Sequence, residues 1–332
     1  MTALDDLQTP ALLVDADALE HNLTTMAAAL PGSRMRPHVK AHKCSALARR
    51  QYDVGHHSFT CATIREVEVL AAAGLGDDLL LANEVVHAER LGAAAAAHEA
   101  RITVAVDSEA TIEAAARGGV NEVLIDVNVG LPRCGCDPSD AGRLAEIARA
   151  KGLVVRGVMG YEGHVVGLPD RAERVTKVEE CMTLLLQAAQ LVGGDVISAG
   201  GTGTYDINTW ANEIQAGSYA LMDTAYAKLE LPFRQALTVL ATVISVSKDW
   251  VVADCGLKAL GMDHGNPTIP GATVWFCSDE HVTFSTDREL HVGDRIEVVP
   301  AHVDPTVAYH DTLHVVRDGE VLDAWPVDMR GW

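Results

Sequence analysis

Lys40 is the residue of this chain best placed for covalent chemistry, within the stretch RPHVKAHK that runs from Arg36 to Lys43. Pro37 has no backbone N–H and biases the residue before it toward extended geometry, which predicts a short strand that ends at Lys40. A lysine at the carboxyl end of a strand can be partly desolvated, and a desolvated lysine loses its proton readily and becomes a nucleophile. The alternative is that the basic residues of this stretch form a solvated surface patch.

A run of small residues at positions 200–204, read as GGTGT, is suited to binding an anion. Small residues let backbone amides approach a phosphate closely, and a following helix adds partial positive charge at its amino terminus. Gly217, Ser218 and Tyr219 occupy the next such place, and in barrels the loops after strands seven and eight commonly hold phosphate. A flexible turn is the alternative. A nucleophilic lysine together with a phosphate cup indicates pyridoxal 5′-phosphate, whose aldehyde needs an amine.

His302 and Asp304 form a third candidate, in the stretch PAHVDPT. Alternation along an extended chain places both side chains on one face, about 7 Å apart along the strand. An imidazole and a carboxylate on one face can hold one divalent metal ion. The alternative is that they are two polar residues at the exposed end of a strand.

Repeating strand–helix units are predicted to position the first two candidates. The predicted strands are 36–40, 58–63, 78–83, 102–107, 122–128, 154–161, 196–200 and 213–221. The helices predicted between them include 64–73, 87–97, 108–117, 140–150, 171–191 and 206–211. The strands are nearly continuous apolar runs, as parallel strands buried on both faces should be. Eight units in series predict an α/β fold with a (β/α)₈ TIM-type barrel. A doubly wound open sheet is the alternative, but it would have a glycine-rich turn early in the chain.

The pattern changes after Leu231, where short alternating runs are typical of antiparallel strands. The predicted strands there are 237–246, 250–253, 273–277, 281–285, 295–300 and 313–325, the last folded into a hairpin at Arg317–Glu320. We therefore predict a barrel over residues 10–231 and a C-terminal antiparallel β domain over residues 232–332. Residues 1–9 are expected to pack on the β domain, and 10–14 to form a strand of the barrel region.

Composition excludes several classes of partner. The chain has 332 residues and a formal net charge of −20 at pH 7, and an acidic surface repels nucleic acid and anionic membranes. No apolar run is long enough to cross a bilayer, and the acidic amino terminus is unlike a secretory signal. Seven cysteines without framework spacing are typical of reduced thiols, so we expect a cytoplasmic protein.

Six motifs in order along the chain carry a family resemblance. They are RPHVKAHK, DVNVGLPRCG, GYEGH, SAGGTGTYD, EIQAGSYALMD and AHVDPT. Together they resemble the fold-type III pyridoxal-phosphate enzymes, in the branch of D-threonine aldolase and D-serine dehydratase, which are distant relatives of alanine racemase. The resemblance implies a barrel plus a β domain, assembled as a homodimer with active sites at the subunit interface. It also implies a small D-amino acid as substrate.

The resemblance implies a role for each matching residue. Lys40 would be the Schiff-base lysine, Arg133 would hydrogen-bond the phenolic oxygen of the cofactor, and Tyr161 would lie beside the ring or the phosphate. The residues around the phosphate would be Gly201, Thr202, Gly203, Thr204, Gly217, Ser218 and Tyr219. The branch carries a divalent-metal pair at the place of His302 and Asp304.

The residue at position 304 bears on the reaction. Dehydratase members of the branch generally show H-x-C, whereas aldolase-like members can show H-x-D. Thiolate favours zinc, and a carboxylate with imidazole also suits Mn²⁺ or Mg²⁺, so Mn²⁺ or Mg²⁺ is favoured here and Zn²⁺ is possible. Asp304 thus favours a metal-dependent D-threonine aldolase-like enzyme that cleaves D-β-hydroxy-α-amino acids to glycine and an aldehyde.

Three other functions stay open from the sequence. A D-serine or D-3-hydroxyaspartate dehydratase would release ammonia and a keto acid instead of glycine. An amino-acid racemase has no need of a metal pair. A non-catalytic pyridoxal-phosphate-binding protein has no need of the second domain.

Overall fold

The computed structural model describes residues 2–332. Its strands are β1 Thr2–Ala3, β2 Ala11–Asp15, β3 Ser58–Cys61, β4 Asp78–Leu81, β5 Ile102–Val106, β6 Glu122–Asp126, β7 Val154–Met159, β8 Val196–Ala199, β9 Glu213–Ile214, β10 Leu237–Val246, β11 Val251–Ala253, β12 Ala272–Cys277, β13 Val282–Thr286, β14 Arg295–Val298, β15 Thr312–Arg317 and β16 Glu320–Pro326. Its helices are α1 Ala16–Ala29, α2 Ser45–Asp53, α3 Ile64–Ala72, α4 Glu89–His98, α5 Glu109–Arg117, α6 Ala141–Ala150, α7 Arg171–Val192 and α8 Val303–Tyr309.

The chain divides into two compact units. The barrel unit comprises Met26–Lys40, Ala48–Gly217 and Met329–Trp332. The β unit comprises the chain up to Thr25 together with Ala41–Leu47 and Ser218–Asp328. The division in the second half of the chain falls between residues 217 and 218, whereas the sequence prediction placed it after residue 231.

The barrel unit is a parallel sheet in the order β3-β4-β5-β6-β7-β8-β9. Its two edges are joined by the segment before Lys40, because Met35 forms a parallel bridge to Ile214 of β9 and His38 forms one to Thr60 of β3. This segment takes the place of the predicted strand 36–40 and closes the sheet as its eighth member. The predicted (β/α)₈ barrel is confirmed.

The strands of the barrel begin where the apolar runs begin. β3 to β8 each start at the predicted residue and end one or two residues earlier than predicted. One apolar layer is formed by neighbouring strands, with Leu80, Ala105, Leu124 and Met159 packed together. The polar residues that follow each run therefore lie in loops at the carboxyl ends of the strands, which is where barrels place functional groups.

Two of the loops that lead from strands to helices are short because a capping residue lies two residues after the strand end. The Thr63 hydroxyl accepts a hydrogen bond from the Glu66 N–H, which starts α3 only two residues after β3 ends. Ser108 caps α5 in the same way through the Thr111 N–H, and Asp170 caps α7. These caps fix the geometry of the rim of the barrel.

Two predicted elements near the end of the barrel are wrong. Residues 206–211 are turns and not a helix, because the Asn208 side chain accepts a hydrogen bond from the Ala211 N–H (3.1 Å) and competes with helical pairing. The predicted strand 213–221 is limited to β9, and a 3₁₀ turn at Ser218–Ala220 follows it.

The β unit is a sheet in the order β1-β16-β15-β2-β10-β11-β13-β12, with β14 also paired to β10. Its pairings are antiparallel except that of β15 with β2. The predicted hairpin is confirmed, with Asp318 (φ 50°) and Gly319 (φ 80°) between β15 and β16. The C-terminal antiparallel sheet is likewise confirmed.

Two features of the β unit differ from the elements expected from the sequence. The first long strand, β2, pairs with β10 and β15 and so belongs to this sheet, although the prediction placed it in the barrel range 10–231. The segment after β14 is the helix α8 where an extended chain was predicted. Within residues 2–332, no helix has both the length and the apolar character that a bilayer crossing requires.

Candidate active site

Lys40 lies at the carboxyl end of the segment that closes the barrel. The Arg36 N–H donates to the Ile214 carbonyl (2.9 Å), and the Thr60 N–H donates to the Pro37 carbonyl (2.9 Å), so the segment is fixed from both sides. The chain then turns through the 3₁₀ turn Val39–Ala41, and Lys40 is half-buried there. The structure thus gives Lys40 the strand-end position from which its nucleophilic role was predicted.

The small-residue loop after β8 is held by a carboxylate that sequence reasoning left without a role. Glu162 is completely buried, and its carboxylate accepts hydrogen bonds from the Gly200 N–H, the Thr204 hydroxyl and the Asn208 amide, each at 3.1 Å. The Gly201 N–H donates to the Thr204 hydroxyl (3.2 Å), so the loop is a compact turn. In the sequence, the signal for Glu162 was its position directly after Tyr161, just beyond the end of β7.

Tyr161 lies between Arg133 and the small-residue loop. The Arg133 guanidinium carbon is 5.5 Å from the centroid of the Tyr161 ring, a cation–π arrangement. A Cβ added at Gly201 would lie 3.5 Å from Cε2 of Tyr161, and one added at Gly163 would lie 2.5 Å from Cε1. The structure therefore brings together Arg133, Tyr161 and Gly201 within the barrel unit, and Gly163 provides the space that the ring occupies.

Two acids lie close together beyond β4 and at the end of β6: the half-buried Glu84 and the buried Asp126. Burial raises the pKa of the Asp126 carboxyl well above its usual range, and the neighbouring Glu84 carboxylate raises it further. A hydrogen bond to Glu84, together with burial, raises the pKa of the Cys134 thiol to about 11. The Cys134 thiol is therefore not a ready nucleophile.

The predicted phosphate residues divide between the two units. Gly217 ends the main segment of the barrel unit, and Ser218 and Tyr219 begin a segment of the β unit. Tyr219 is completely buried, and its ring lies 5.6 Å from that of Phe233 at a tilt of 55°. Thr202, Gly203 and Thr204 are buried in the loop after β8.

His302 and Asp304 converge, although not through the predicted strand. His302 precedes α8 with extended backbone, and Asp304 lies in the first turn of that helix. The helix can begin here because proline is tolerated in a first turn, where Pro305 needs no N–H partner. His302 Nε2 and Asp304 Oδ1 are 3.9 Å apart. The two residues therefore meet at the start of one helix, and not on one face of a strand as predicted.

Buried polar groups fix the start of α8. Asp223 is completely buried, and its carboxylate accepts a hydrogen bond from the Val303 N–H (2.9 Å) and another from the Tyr226 N–H (3.0 Å). The Thr306 hydroxyl donates to the His302 carbonyl (2.7 Å). The bond from Val303 holds the backbone between His302 and Asp304, and the bond from Thr306 ties His302 to the first turn of α8.

Two further residues accompany His302, and sequence reasoning missed both. Asp263 Oδ2 is 2.7 Å from His302 Nδ1, and the His264 ring is stacked on the His302 ring at 4.0 Å with an interplanar angle of 9°. One ligand atom from each of Asp263, His264 and His302 lies within 4.8 Å of the others. The sequence signal was an acid–histidine pair in the turn GMDHG, 38 positions before His302.

Comparison with known proteins decides the family. The family model described as "Alanine racemase, N-terminal domain" matches residues 14–224, and the one described as "Putative serine dehydratase domain" matches residues 236–316. A D-threonine aldolase of an Arthrobacter species is 36% identical over 98% of this chain and 93% of its own length. The chain belongs to the D-threonine aldolase and D-serine dehydratase family. This confirms the resemblance to fold-type III pyridoxal-phosphate enzymes.

Other members of the family include aldolases and a dehydratase. A 3-hydroxy-D-aspartate aldolase of Paracoccus denitrificans is 33% identical over 98% of this chain and 93% of its own length. The structure of a D-threonine aldolase from Filomicrobium marinum is 35% identical with a TM-score of 0.93, covering 99% of this chain and 97% of that one. A D-threo-3-hydroxyaspartate dehydratase from Delftia sp. HT23 is 26% identical with a TM-score of 0.88, and both chains are covered completely.

Proposed function

We propose that this protein is a pyridoxal-phosphate- and divalent-metal-dependent aldolase that cleaves D-β-hydroxy-α-amino acids to glycine and an aldehyde. The observation that carries the proposal is the convergence of His302 and Asp304, an imidazole with a carboxylate and no thiolate. Full-length similarity supports it, because aldolases are 33–36% identical to this chain and the dehydratase of Delftia is 25% identical.

The residues of the barrel unit fit the cofactor. Lys40 is half-buried at a strand end, where its amine can form the covalent link to the cofactor aldehyde. Arg133 is exposed beside Tyr161, so its guanidinium is available to donate to a phenolic oxygen. When bound, pyridoxal phosphate draws electrons from the α-carbon of an attached amino acid, so that a bond to this carbon can break.

Each proposed cofactor residue has a separate task. Tyr161, packed against Gly201, would support the cofactor beside the small-residue loop. The phosphate would be held by Gly201, Thr202, Gly203, Thr204, Gly217, Ser218 and Tyr219. Because the Tyr219 ring is buried against Phe233, its backbone is the part suited to that task. The Lys40 amine is also the group of the barrel unit that we assign to returning a proton to the α-carbon.

The donor set of His302 and Asp304 fits a divalent ion. Two ligand atoms that are each about 2.1 Å from one ion can be up to about 4.2 Å apart, and Nε2 and Oδ1 are 3.9 Å apart. Imidazole with carboxylate suits Mn²⁺ or Mg²⁺, and Zn²⁺ is also possible. When bound, such an ion acts as a Lewis acid that lowers the pKa of a hydroxyl group.

The comparisons also give some support to a second function, that of a dehydratase. A D-threo-3-hydroxyaspartate dehydratase of Delftia sp. covers 98% of this chain at 25% identity. On this alternative the protein would release ammonia and a keto acid from a D-β-hydroxy-α-amino acid. Alanine racemases are 12–16% identical in structure comparison, so they show the fold alone.

One assay separates these functions. The protein is incubated with pyridoxal phosphate, Mn²⁺ and, in turn, D-threonine, D-phenylserine, D-3-hydroxyaspartate and D-serine, and glycine and ammonia are measured. The aldolase proposal predicts glycine in equal amount to the aldehyde, with little ammonia. Ammonia without glycine would establish the dehydratase, and inversion at the α-carbon without either product would establish a racemase.

We also infer a cytoplasmic homodimer with no nucleic-acid or membrane partner. The dimer is inferred from the family resemblance. Within the described chain, each of the seven cysteines is a free thiol, which supports a reducing compartment. The net charge of −20 supports the absence of nucleic acid.

A further inference from the structure

The His302 ring is held by two neighbours that lie outside the proposed metal pair. Asp263 Oδ2 is at hydrogen-bond distance from Nδ1, 2.7 Å, and the His264 ring lies parallel to the His302 ring at 4.0 Å. The opposite nitrogen, Nε2, faces Asp304 Oδ1 at 3.9 Å. The two nitrogens of one ring thus have different surroundings.

These surroundings select a tautomer. In its neutral form the imidazole carries one N–H, and because the Asp263 carboxylate can only accept a hydrogen bond, this form places the proton on Nδ1 and leaves the lone pair on Nε2. A histidine that binds a metal commonly donates its other N–H to a carboxylate, which fixes the ring and makes the ligand more basic. We propose that Asp263 is a positioning residue that fixes the Nδ1–H form of His302 and directs Nε2 toward a divalent ion shared with Asp304.

The backbone delivers Asp263 to this place. Gly261 forms an antiparallel bridge with His302, and its N–H donates to the Thr306 hydroxyl (2.9 Å). A Cβ at Gly261 would lie 2.3 Å from Cγ of Pro305, so this close approach requires glycine. The chain then turns, with the Gly265 N–H donating to the Met262 carbonyl (3.2 Å), and Asp263 sits in that turn.

A direct ligand role for Asp263 agrees less well with the distances. Two atoms bound to one ion at about 2.1 Å are separated by roughly 3 Å at right angles and by more at wider angles. The separation of 2.7 Å between Nδ1 and Oδ2 is instead that of a charge-assisted hydrogen bond. The His264 ring, stacked at 4.0 Å, restricts the rotation of the His302 ring.

The inference rests on the proposed metal pair and is tested by metal binding without turnover. The dissociation constant of Mn²⁺ is measured by titration calorimetry and by the electron paramagnetic resonance signal of free Mn²⁺. Asp263→Ala is expected to weaken binding by about 10–100-fold, the usual effect of removing such a carboxylate. Asp263→Asn keeps an acceptor oxygen and should lose less. Asp249→Asn, an exposed acid of the same unit, is the matched charge control.

A second readout reports the tautomer itself. In protein labelled with ¹⁵N-histidine, His302 should show a protonated Nδ1, assigned by its loss in His302→Ala, and Asp263→Ala should redistribute that proton. Melting temperatures of the metal-free variants should match the parent protein, because Asp263 is 56% exposed. An unchanged Mn²⁺ affinity in Asp263→Ala would overturn the inference. An equal loss in Asp263→Asn and Asp263→Ala would overturn it in favour of direct ligation.

Failure of the proposed metal pair can be distinguished from failure of the role proposed for Asp263. If the parent protein does not bind Mn²⁺, or if His302→Ala and Asp304→Ala bind it as the parent does, the metal pair itself is wrong. If those two variants lose Mn²⁺ while Asp263→Ala retains it, the pair stands and only the role of Asp263 is refuted.

Discussion

At the residue scale, one buried carboxylate shapes the loop on which the phosphate proposal depends. Glu162 accepts three hydrogen bonds, from Gly200, Thr204 and Asn208, and is wholly buried. A buried carboxylate is costly unless donors surround it, so these contacts and the shape of the loop require each other. The compact turn with its small residues is therefore a property of a network that spans two strand ends.

The first prediction at this scale concerns the cofactor lysine. Lys40→Ala is expected to abolish the long-wavelength absorption of lysine-bound pyridoxal phosphate. It should also lower activity by at least about 10²-fold, the smaller end of what a positioned proton-transfer group contributes. Absorption spectra and turnover measure these effects. Lys43→Ala is the control and should keep the spectrum, and the reverse pattern would move the cofactor to Lys43.

The second prediction concerns the metal pair. Exhaustive chelation should stop turnover and leave the absorption of the bound cofactor intact, because Lys40 and the metal pair have separate tasks. Mn²⁺ should restore the parent enzyme and fail to restore Asp304→Ala, since the ion would lower the pKa of the β-hydroxyl group, which must lose its proton for the carbon–carbon bond to break. Asp304→Cys should shift the preference toward Zn²⁺. Full activity after chelation, or in the double variant without His302 and Asp304, would refute the metal assignment.

At the element scale, charged residues join the amino-terminal ends of several barrel strands. Arg36 is buried and pairs with Asp78 at the start of β4 (3.1 Å) and with Glu213 at the start of β9 (2.8 Å). Arg156 of β7 approaches Asp78 with both guanidinium nitrogens at 2.8 Å. The network lies at the end of the barrel opposite Lys40, so its role is stability and not catalysis.

The third prediction follows from that network. Asp78→Ala is expected to lower the free energy of unfolding by about 3–5 kcal/mol, because two arginines would lose their common partner in a buried place. Urea titration measures this loss. Asp77→Ala, at the exposed neighbouring position, is the control and should cost less than about 1 kcal/mol. A loss at Asp78 no larger than at Asp77 would contradict the assignment.

The same network makes the folding stability of the protein depend on pH. Burial works to raise the pKa of Asp78, but hydrogen bonds from Arg156 and the charge of Arg36 outweigh it and hold this pKa well below its usual range. A carboxyl with a lowered folded-state pKa stabilises the protein above its unfolded pKa, about 3.9, and loses this stabilisation as the pH falls further. The difference in stability between the parent and Asp78→Asn should therefore shrink below about pH 4.

The limits of prediction from sequence are clearest at this scale. Apolar runs located the starts of β3 to β8 because burial on both faces leaves a direct composition signal. Periodicity does not reveal which sheet a strand joins, so β2 was placed in the barrel range. The helix α8 was missed because the chain through His302 and Asp304 was assumed to be extended, whereas Asp304 and Pro305 lie in a helical first turn.

The candidate site shows the same contrast between local sequence signals and long-range contacts. Lys40, the small-residue loop and the His302–Asp304 pair could be proposed from the sequence because each is a local motif. Glu162 and Asp263 were missed as partners because their roles arise from contacts with residues 38 or more positions away, such as Glu162 with Gly200 and Asp263 with His302. Spacing within a motif carries no information on such contacts.

At the scale of the whole molecule, the barrel unit contains the proposed cofactor lysine, Lys40, and the β unit contains the proposed metal pair, His302 and Asp304. Each unit contains one half of the proposed chemistry, so neither is expected to act alone. Full-length similarity to aldolases covers both units, at 36% identity over 98% of the chain. A racemase-like reaction needs the cofactor residues, but the metal pair has a task only if a group on the β-carbon reacts.

The last prediction is that the active species is a homodimer. The resemblance implies active sites at a subunit interface, so sedimentation equilibrium should give twice the chain mass of 35.3 kDa, and activity per chain should fall when dilution dissociates the dimer. Activity is measured across a dilution series with pyridoxal phosphate and Mn²⁺ held constant, so that cofactor loss does not imitate dissociation. Re-concentration should restore it. A monomer with full activity per chain at every concentration would show that one chain completes the site by itself.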